Sequence, residues 1–189
     1  MEAKEAAQFQ EIKNGNRRAF EEVFRLYYEP LCRFCLRFLQ SQEEAEEVVQ
    51  DLFVAFWEKK NELELTVSIK SYLYRAARNR SLNVIKHQQV KDRYVGETTF
   101  LMRHSYEEVS FTSELEAAIA KGIDALPERC REIFLLSRHE GLKYREIADL
   151  LGISPKTVEV QMSKALKSLR EHLKEFLVIW WLFWMNHGS

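Results

Sequence analysis

Apolar residues recur at helical spacing along most of the chain. Phe20, Val23, Phe24, Tyr27, Leu31, Phe34, Cys35 and Phe38 recur in steps of three and four, which places them on one face of a helix. Pro30 lies inside this run and is expected to kink or split it, because proline has no amide hydrogen to continue the ladder. Ser41-Gln-Glu-Glu44 reads as a capping box, in which the hydroxyl and the carboxylate each satisfy an orphan amide. Ala45, Val48, Val49, Leu52, Phe53, Phe56 and Trp57 form the amphipathic face that follows. A third stretch, Ile69, Tyr72, Leu73, Ala76 and Ala77, carries basic residues on its other side. These three or four helices have enough apolar surface for one small bundle.

From His87 to Thr112 the periodicity dissolves, and a connection of this length inside a compact domain is unusual unless it is disordered or functional. Helical order resumes at a second capping box, Ser113 to Glu116, with Leu115, Ala118, Ile119, Ile123 and Leu126 on one face. Pro127 suits the first position of the next helix and Gly141 suits its exit. The pattern predicts an all-α chain of two small helical domains joined by a flexible linker. The expected boundaries are 7–86 for the first domain, 87–112 for the linker, 113–175 for the second domain and 176–189 for an apolar tail.

The strongest local signal lies in Tyr144–Ser163. Ile147, Ala148 and Leu151 share a face, Gly152 sits where a tight turn needs positive φ, and Ile153 plugs the corner. Ser154 is a natural N-cap and Pro155 a natural first helical residue, so a new helix starts there and buries Val158 and Met162. This is the arrangement of a DNA-reading helix-turn-helix, whose second helix enters the major groove. The bland reading is an ordinary helical hairpin with the same spacing. The outer side of the second helix offers Lys156, Thr157, Glu159, Val160, Ser163 and Lys164. Glu and Ser can read base edges, whereas Lys more often meets phosphate.

Composition narrows the classes. The 189 residues hold only 6 Gly and 3 Pro, few for an all-β chain, and no Gly-rich phosphate loop. Three cysteines argue against a disulfide framework and fit a reducing cytoplasm, and the polar start MEAKEAAQFQ is not that of a secretory signal. The net charge of −1 hides a segregation. Residues 40–64 carry Glu43, Glu44, Glu46, Glu47, Asp51, Glu58, Glu62 and Glu64 against Lys59 and Lys60. Residues 70–93 carry Lys70, Arg75, Arg78, Arg80, Lys86, Lys91 and Arg93 against Asp92. Adjacent segments of opposite sign suggest two surfaces for two different partners.

Taken together, FEEVFRLYYEPLCRF (Phe20–Phe34), EEAEEVVQDLFVAFWEK (Glu43–Lys59), IKSYLYRAARNRSLNVIK (Ile69–Lys86) and the segment Leu126–Arg170 resemble a bacterial RNA polymerase sigma factor of the sigma-70 family. The resemblance is to the small extracytoplasmic-function (ECF) form, in which region 2 and region 4 are joined by a linker. It implies a transcription initiation factor without catalysis of its own, which directs core polymerase to promoters, reads −10 and −35 elements and assists strand opening. It places core-polymerase contacts on Glu47, Gln50, Asp51 and Phe53. On the residues alone, that acidic stretch reads as a solvated helix side. It places −10 contacts on Arg75, Arg78, Asn79, Arg80, Asn83 and Lys86, with Tyr72 and Tyr74 as aromatic neighbours able to stack or wedge. On the residues alone Tyr72 and Leu73 read as core rather than wedge, and Trp57 as core or core edge. It places −35 contacts on the outer face of the helix that begins at Pro155. The implied partners are the β′ clamp helices and β flap of the polymerase, promoter DNA and an anti-sigma factor. The rival reading is a stand-alone helix-turn-helix regulator, for which the acidic helix would have no use.

Weaker features carry less. Cys32 and Cys35 form a CxxC on a helix with no second ligand pair, so buried thiols are the expected state rather than a metal site. His87, His104, His139, His172 and His187 are scattered, and no nucleophile–base grouping stands out; neither cofactor nor small-molecule substrate is expected. Phe176–Met185 (FLVIWWLFWM) is ten unbroken apolar residues with three Trp. As a helix it would reach about 15 Å, half a bilayer core, so it is read as a docking segment and not as a transmembrane span.

Overall fold

The computed structural model describes residues 3–65, 67–93 and 114–174. Among them the chain is eight α-helices and no strand. It divides into two compact units, residues 1–106 and 107–189, and the division falls within the aperiodic stretch. Residues 94–112 of that stretch and the capping serine expected at Ser113 lie outside the described residues, as does the tail from Glu175 onward.

The first unit contains α1 (Ala3–Lys13), α2 (Arg17–Cys35), α3 (Gln42–Glu58) and α4 (Ile69–Arg93). Asn16 caps α2 by accepting from the Arg18 and Ala19 amides. The core is aromatic. Phe20 lies against Phe53, Phe56 and Trp57, Phe24 against Phe53 at 4.9 Å, and Phe34 against Tyr74 at 5.0 Å. Helix α1 adds Phe9, stacked on Phe56, and the fully buried Ile12. Proline does not split α2, which runs through Pro30 as one helix. Pro30 has no amide hydrogen to offer the Leu26 carbonyl, and Leu26 is 63% exposed, so the interrupted rung of the ladder falls at an exposed residue. Helix α4 runs to Arg93, further than the apolar period suggests, and Gln88 Nε2 donates to Glu44 Oε1 at 2.7 Å, tying this end to the start of α3.

The second unit contains α5 (Glu114–Asp124), α6 (Glu128–Arg138), α7 (Tyr144–Leu151) and α8 (Pro155–His172). Leu126, Cys130, Ala165 and Leu169 form one apolar cluster with Ile123 and Phe134 packed on it. Arg131 closes the end of α5 by donating to the carbonyls of Asp124 and Leu126. Ile147, Ala148, Val158 and Met162 are all buried where α7 meets α8.

Candidate functional site

Three exposed helix faces carry the residues singled out in the sequence, and each is positioned by a buried stripe behind it. Helix α3 starts at Ser41, whose hydroxyl accepts from the Glu44 amide at 3.1 Å. The Glu44 carboxylate reaches back to the Gln40 amide at 3.1 Å, one residue beyond the expected box. Ala45, Val48, Val49, Leu52, Phe53 and Phe56 then turn inward. Glu47, Gln50 and Asp51 are exposed along the other side, and Gln50 is steadied by a 3.3 Å hydrogen bond to the Tyr28 hydroxyl. Phe53 does not belong to this face. It is 2% exposed and held between Phe20 and Phe24, so a partner cannot reach it. The apolar residue on this face is instead Val54, 56% exposed one turn after Gln50. The periodicity hid it, because valine in an apolar run reads as core; its position three residues after Asp51 was the available signal.

Helix α4 is anchored by Ile69, Leu73, Ala77, Ser81 and Ile85, all buried, with Ser81 Oγ donating to the Ala77 carbonyl at 2.9 Å. Arg75, Asn79, Asn83 and Lys86 are exposed in one stripe on the opposite side, at steps of four, four and three. Arg78 and Arg80 flank it half-buried, and Arg78 Nε is buried without a hydrogen-bond partner. The two tyrosines separate. Tyr72 is half-buried at the edge of the stripe, 5.6 Å from the Phe56 ring, and desolvation raises its hydroxyl pKa. Tyr74 is 1% exposed against Phe34, so it cannot stack on a base and belongs to the core. Trp57 is half-buried on Phe20, with Lys60 Nζ 4.2 Å above its ring.

The α7–α8 turn is built as the sequence predicts. Gly152 adopts φ 65°, in the left-handed region that side chains disfavour. Its amide and that of Ile153 both bond the Ala148 carbonyl. The Ser154 hydroxyl accepts from the Thr157 amide at 3.0 Å, and Pro155 opens the helix. Lys156, Thr157, Glu159, Val160, Ser163 and Lys164 are all exposed. All but Thr157 line one shallow groove together with Lys167. Lys156 Nζ is paired with the Glu159 carboxylate at 2.9 Å, so the one acid on this face is partly neutralised from within its own helix.

Chemically these faces offer charge, amides and hydroxyls for recognition. Among the described residues no cluster of His, Cys, Asp and Glu could hold a metal ion. The CxxC thiols are buried, and desolvation pushes Cys35 up to about 12, which keeps it protonated and unreactive. No described helix is long and apolar enough to cross a membrane.

The family model for sigma-70 region 2 matches residues 23–90, and that for sigma-70, region 4 matches residues 116–169. The chain is 24% identical over 176 residues to the ECF RNA polymerase sigma factor SigW of Bacillus subtilis, covering 87% of this chain and 94% of SigW. It is 28% identical over 152 residues to the ferric citrate uptake sigma factor FecI of Escherichia coli, covering 78% and 87% respectively. Two solved structures share the fold. One is the sigma factor RpoE in complex with the anti-sigma factor NepR from Bartonella quintana, at TM-score 0.59 and 22% identity, covering 82% of this chain and 96% of that one. The other is CnrH in complex with the cytosolic domain of CnrY, at TM-score 0.57 and 23% identity, covering 90% and 97%.

Proposed function

The chain belongs to the sigma-70 family in its ECF form, a transcription initiation factor that directs RNA polymerase to promoters, and from this premise we propose which of its faces do the work. The exposed side of α3, with Glu47, Gln50, Asp51 and Val54, binds the β′ clamp helices. An acidic face with one apolar contact beside it suits a basic helix pair, where charge complementarity sets register. Arg75, Asn79, Asn83 and Lys86 on α4 hold the −10 element. Their stripe alternates charge for phosphates with amides that pair to base edges, and Asn79 reads a base after it leaves the stack. The groove on α8 reads the −35 element, and the second unit also meets the β flap. Catalysis stays with the polymerase, and the protein works in the cytoplasm. Because the solved relatives are held by anti-sigma partners or a cytosolic domain, a partner of the anti-sigma kind is assigned to this chain as well.

One observation carries this reading: three exposed stripes, one acidic and two basic, lie on helices whose opposite sides are buried. A stand-alone regulator needs only the third stripe, and it is not favoured. The test is run-off transcription with purified core polymerase on genomic promoter fragments. The wild-type chain should give discrete start sites. Asp51→Arg with Gln50→Ala should abolish both transcripts and retention of core enzyme, while the circular dichroism stays unchanged. Asn79→Ala should lower permanganate reactivity of the −10 region more than it lowers duplex binding. Undiminished retention of core enzyme, or unchanged strand opening, would remove the respective assignment.

A further inference from the structure

Helix α4 is held against α3 at both ends, and the two ends use different chemistry. At its start Tyr72 lies 5.6 Å from the ring of Phe56, near the end of α3. At its far end Gln88 Nε2 donates to Glu44 Oε1, near the start of α3. The two helices therefore run antiparallel. The buried stripe of α4 passes through Ile69, Leu73, Ala77, Ser81 and Ile85. One turn further, on the same side, stands Gln88. Lys86 and His87 between them are exposed and Gln88 is half-buried, so past Ile85 an amide takes the place of the next apolar contact.

The carboxylate that receives this amide is engaged on both oxygens. Glu44 Oε1 accepts from Gln88 at 2.7 Å and Oε2 accepts from the Gln40 amide at 3.1 Å, while the Glu44 amide donates to Ser41 Oγ. One half-buried side chain thus joins the cap of α3 to the end of α4. A hydrogen bond to a charged group is shorter and roughly twice as strong as a neutral one. Along the sequence Glu44 comes one turn before Glu47, and Gln88 comes directly after the Asn83 and Lys86 end of the α4 stripe. We propose that Glu44 and Gln88 are positioning residues for strand opening: their bond fixes the far end of α4, with Asn83 and Lys86, in register with the helix that docks on polymerase. The assignment rests on the proposed roles of α3 and α4 and deepens them. Groups that receive an unpaired base act well only when a supporting bond sets their place beforehand. With the bond gone, the end of α4 moves independently of α3, and Asn83 and Lys86 lose their fixed distance from Glu47.

The test uses the full chain with core polymerase. Gln88→Glu sets two carboxylates against each other and breaks the bond, while Glu44 keeps its hold on the Gln40 amide. It should slow open-complex formation, read by permanganate, about tenfold, the scale of one charge-assisted bond. Core retention and circular dichroism should not change, and initial duplex binding should fall far less than opening. Adding Glu44→Gln restores the bond with donor and acceptor exchanged. The new amide donates to the carboxylate at position 88, and its oxygen still accepts from Gln40, so opening should return to the wild-type rate. Hydrogen exchange of the Lys86 and Gln88 amides should rise in the single variant and fall back in the double. A double variant as slow as Gln88→Glu would overturn the proposal, because charge at position 88 and not the bond would then set the rate. Core retention or circular dichroism lost together with opening would also overturn it, making the pair merely structural. Asn79→Ala in parallel separates two failures. Opening slowed by Asn79→Ala but indifferent to Gln88→Glu would remove the positioning role alone; opening indifferent to both would remove the role of α4 with it.

Discussion

Replacing Gly152 with alanine isolates the backbone contribution of the helix-turn-helix corner. At φ 65° an L side chain costs about 1–2 kcal/mol. A Cβ built at Gly152 meets nothing within 4 Å, so no steric term is added. The whole penalty is conformational, and Gly152→Ala should destabilise the second unit by about 1–2 kcal/mol. That corresponds to roughly 5- to 30-fold faster exchange of the buried amides Val158 and Met162. Asparagine tolerates the left-handed region better, so Gly152→Asn should fall below alanine in effect. Neither change alters the residues lining the α8 groove, so affinity of the folded protein for a −35 duplex should stay within about twofold, as no base or phosphate contact is removed. Native-state hydrogen exchange followed by mass spectrometry reads the first quantity, and fluorescence anisotropy with labelled duplex reads the second. Exchange rates unchanged by alanine would refute the reasoning, as would a cost above about 4 kcal/mol, which only a clash could supply.

Phe53→Ala should cost about 3–5 kcal/mol in denaturant unfolding of the first unit, because the ring is fully buried between Phe20 and Phe24; polymerase binding should fall only in proportion to unfolding. Lys164→Ala should weaken DNA binding across all sequences and lower the salt slope by about one. Glu159→Ala should tighten it by up to about fivefold, since it removes an acid and releases Lys156 from its 2.9 Å pair, an exposed pair worth at most about 1 kcal/mol; equal effects of the two changes would contradict this division. Cys35 should resist iodoacetamide at pH 8, being fully buried and pushed from 9.0 up to about 12. Because its folded value lies above its unfolded one, its contribution to stability is complete below about pH 9 and is lost as pH rises toward 12, which an alkaline unfolding series on Cys35→Ala against wild type would show.

Helices α2, α3, α7 and α8 were legible because each buries one continuous apolar stripe, and the α7–α8 corner because Gly152, Ser154 and Pro155 each have a single backbone use. What escaped has physical causes. Helix α1 contributes only Phe9 and Ile12 to the core, too few positions within a polar run to show a period. The last turns of α4 are tied by a polar contact from Gln88 to Glu44, which hydropathy does not register. Pro30 was misleading because the cost of an interrupted ladder depends on how exposed that side of the helix is, a tertiary fact. Face assignment failed where a side chain's chemistry allows both roles. Phe53, Tyr74 and Val54 are equally plausible as core or contact, and only the packing of α2 against α3 and α4 decides between them. The polar residues singled out on α8 are all exposed, whereas on α4 Arg78 and Arg80 are drawn half into the interior.

The two sides of α8 have a consequence for how such a protein changes over generations. Val158, Met162, Ala165 and Leu169 face inward, while Lys156, Glu159, Val160, Ser163, Lys164 and Lys167 form the groove and contribute nothing to the core. Substitutions at exposed positions away from special features shift stability by no more than about 0.5 kcal/mol. On the proposed reading of this face, promoter preference can drift one residue at a time without passing through unfolded intermediates. Duplicated copies of the gene could diverge into separate regulatory circuits while the scaffold beneath them stayed the same. Thr157 is the exception on this face. Its amide is committed to the Ser154 cap, and its hydroxyl lies 2.8 Å from that of Ser154, so at this position recognition and folding are inherited together.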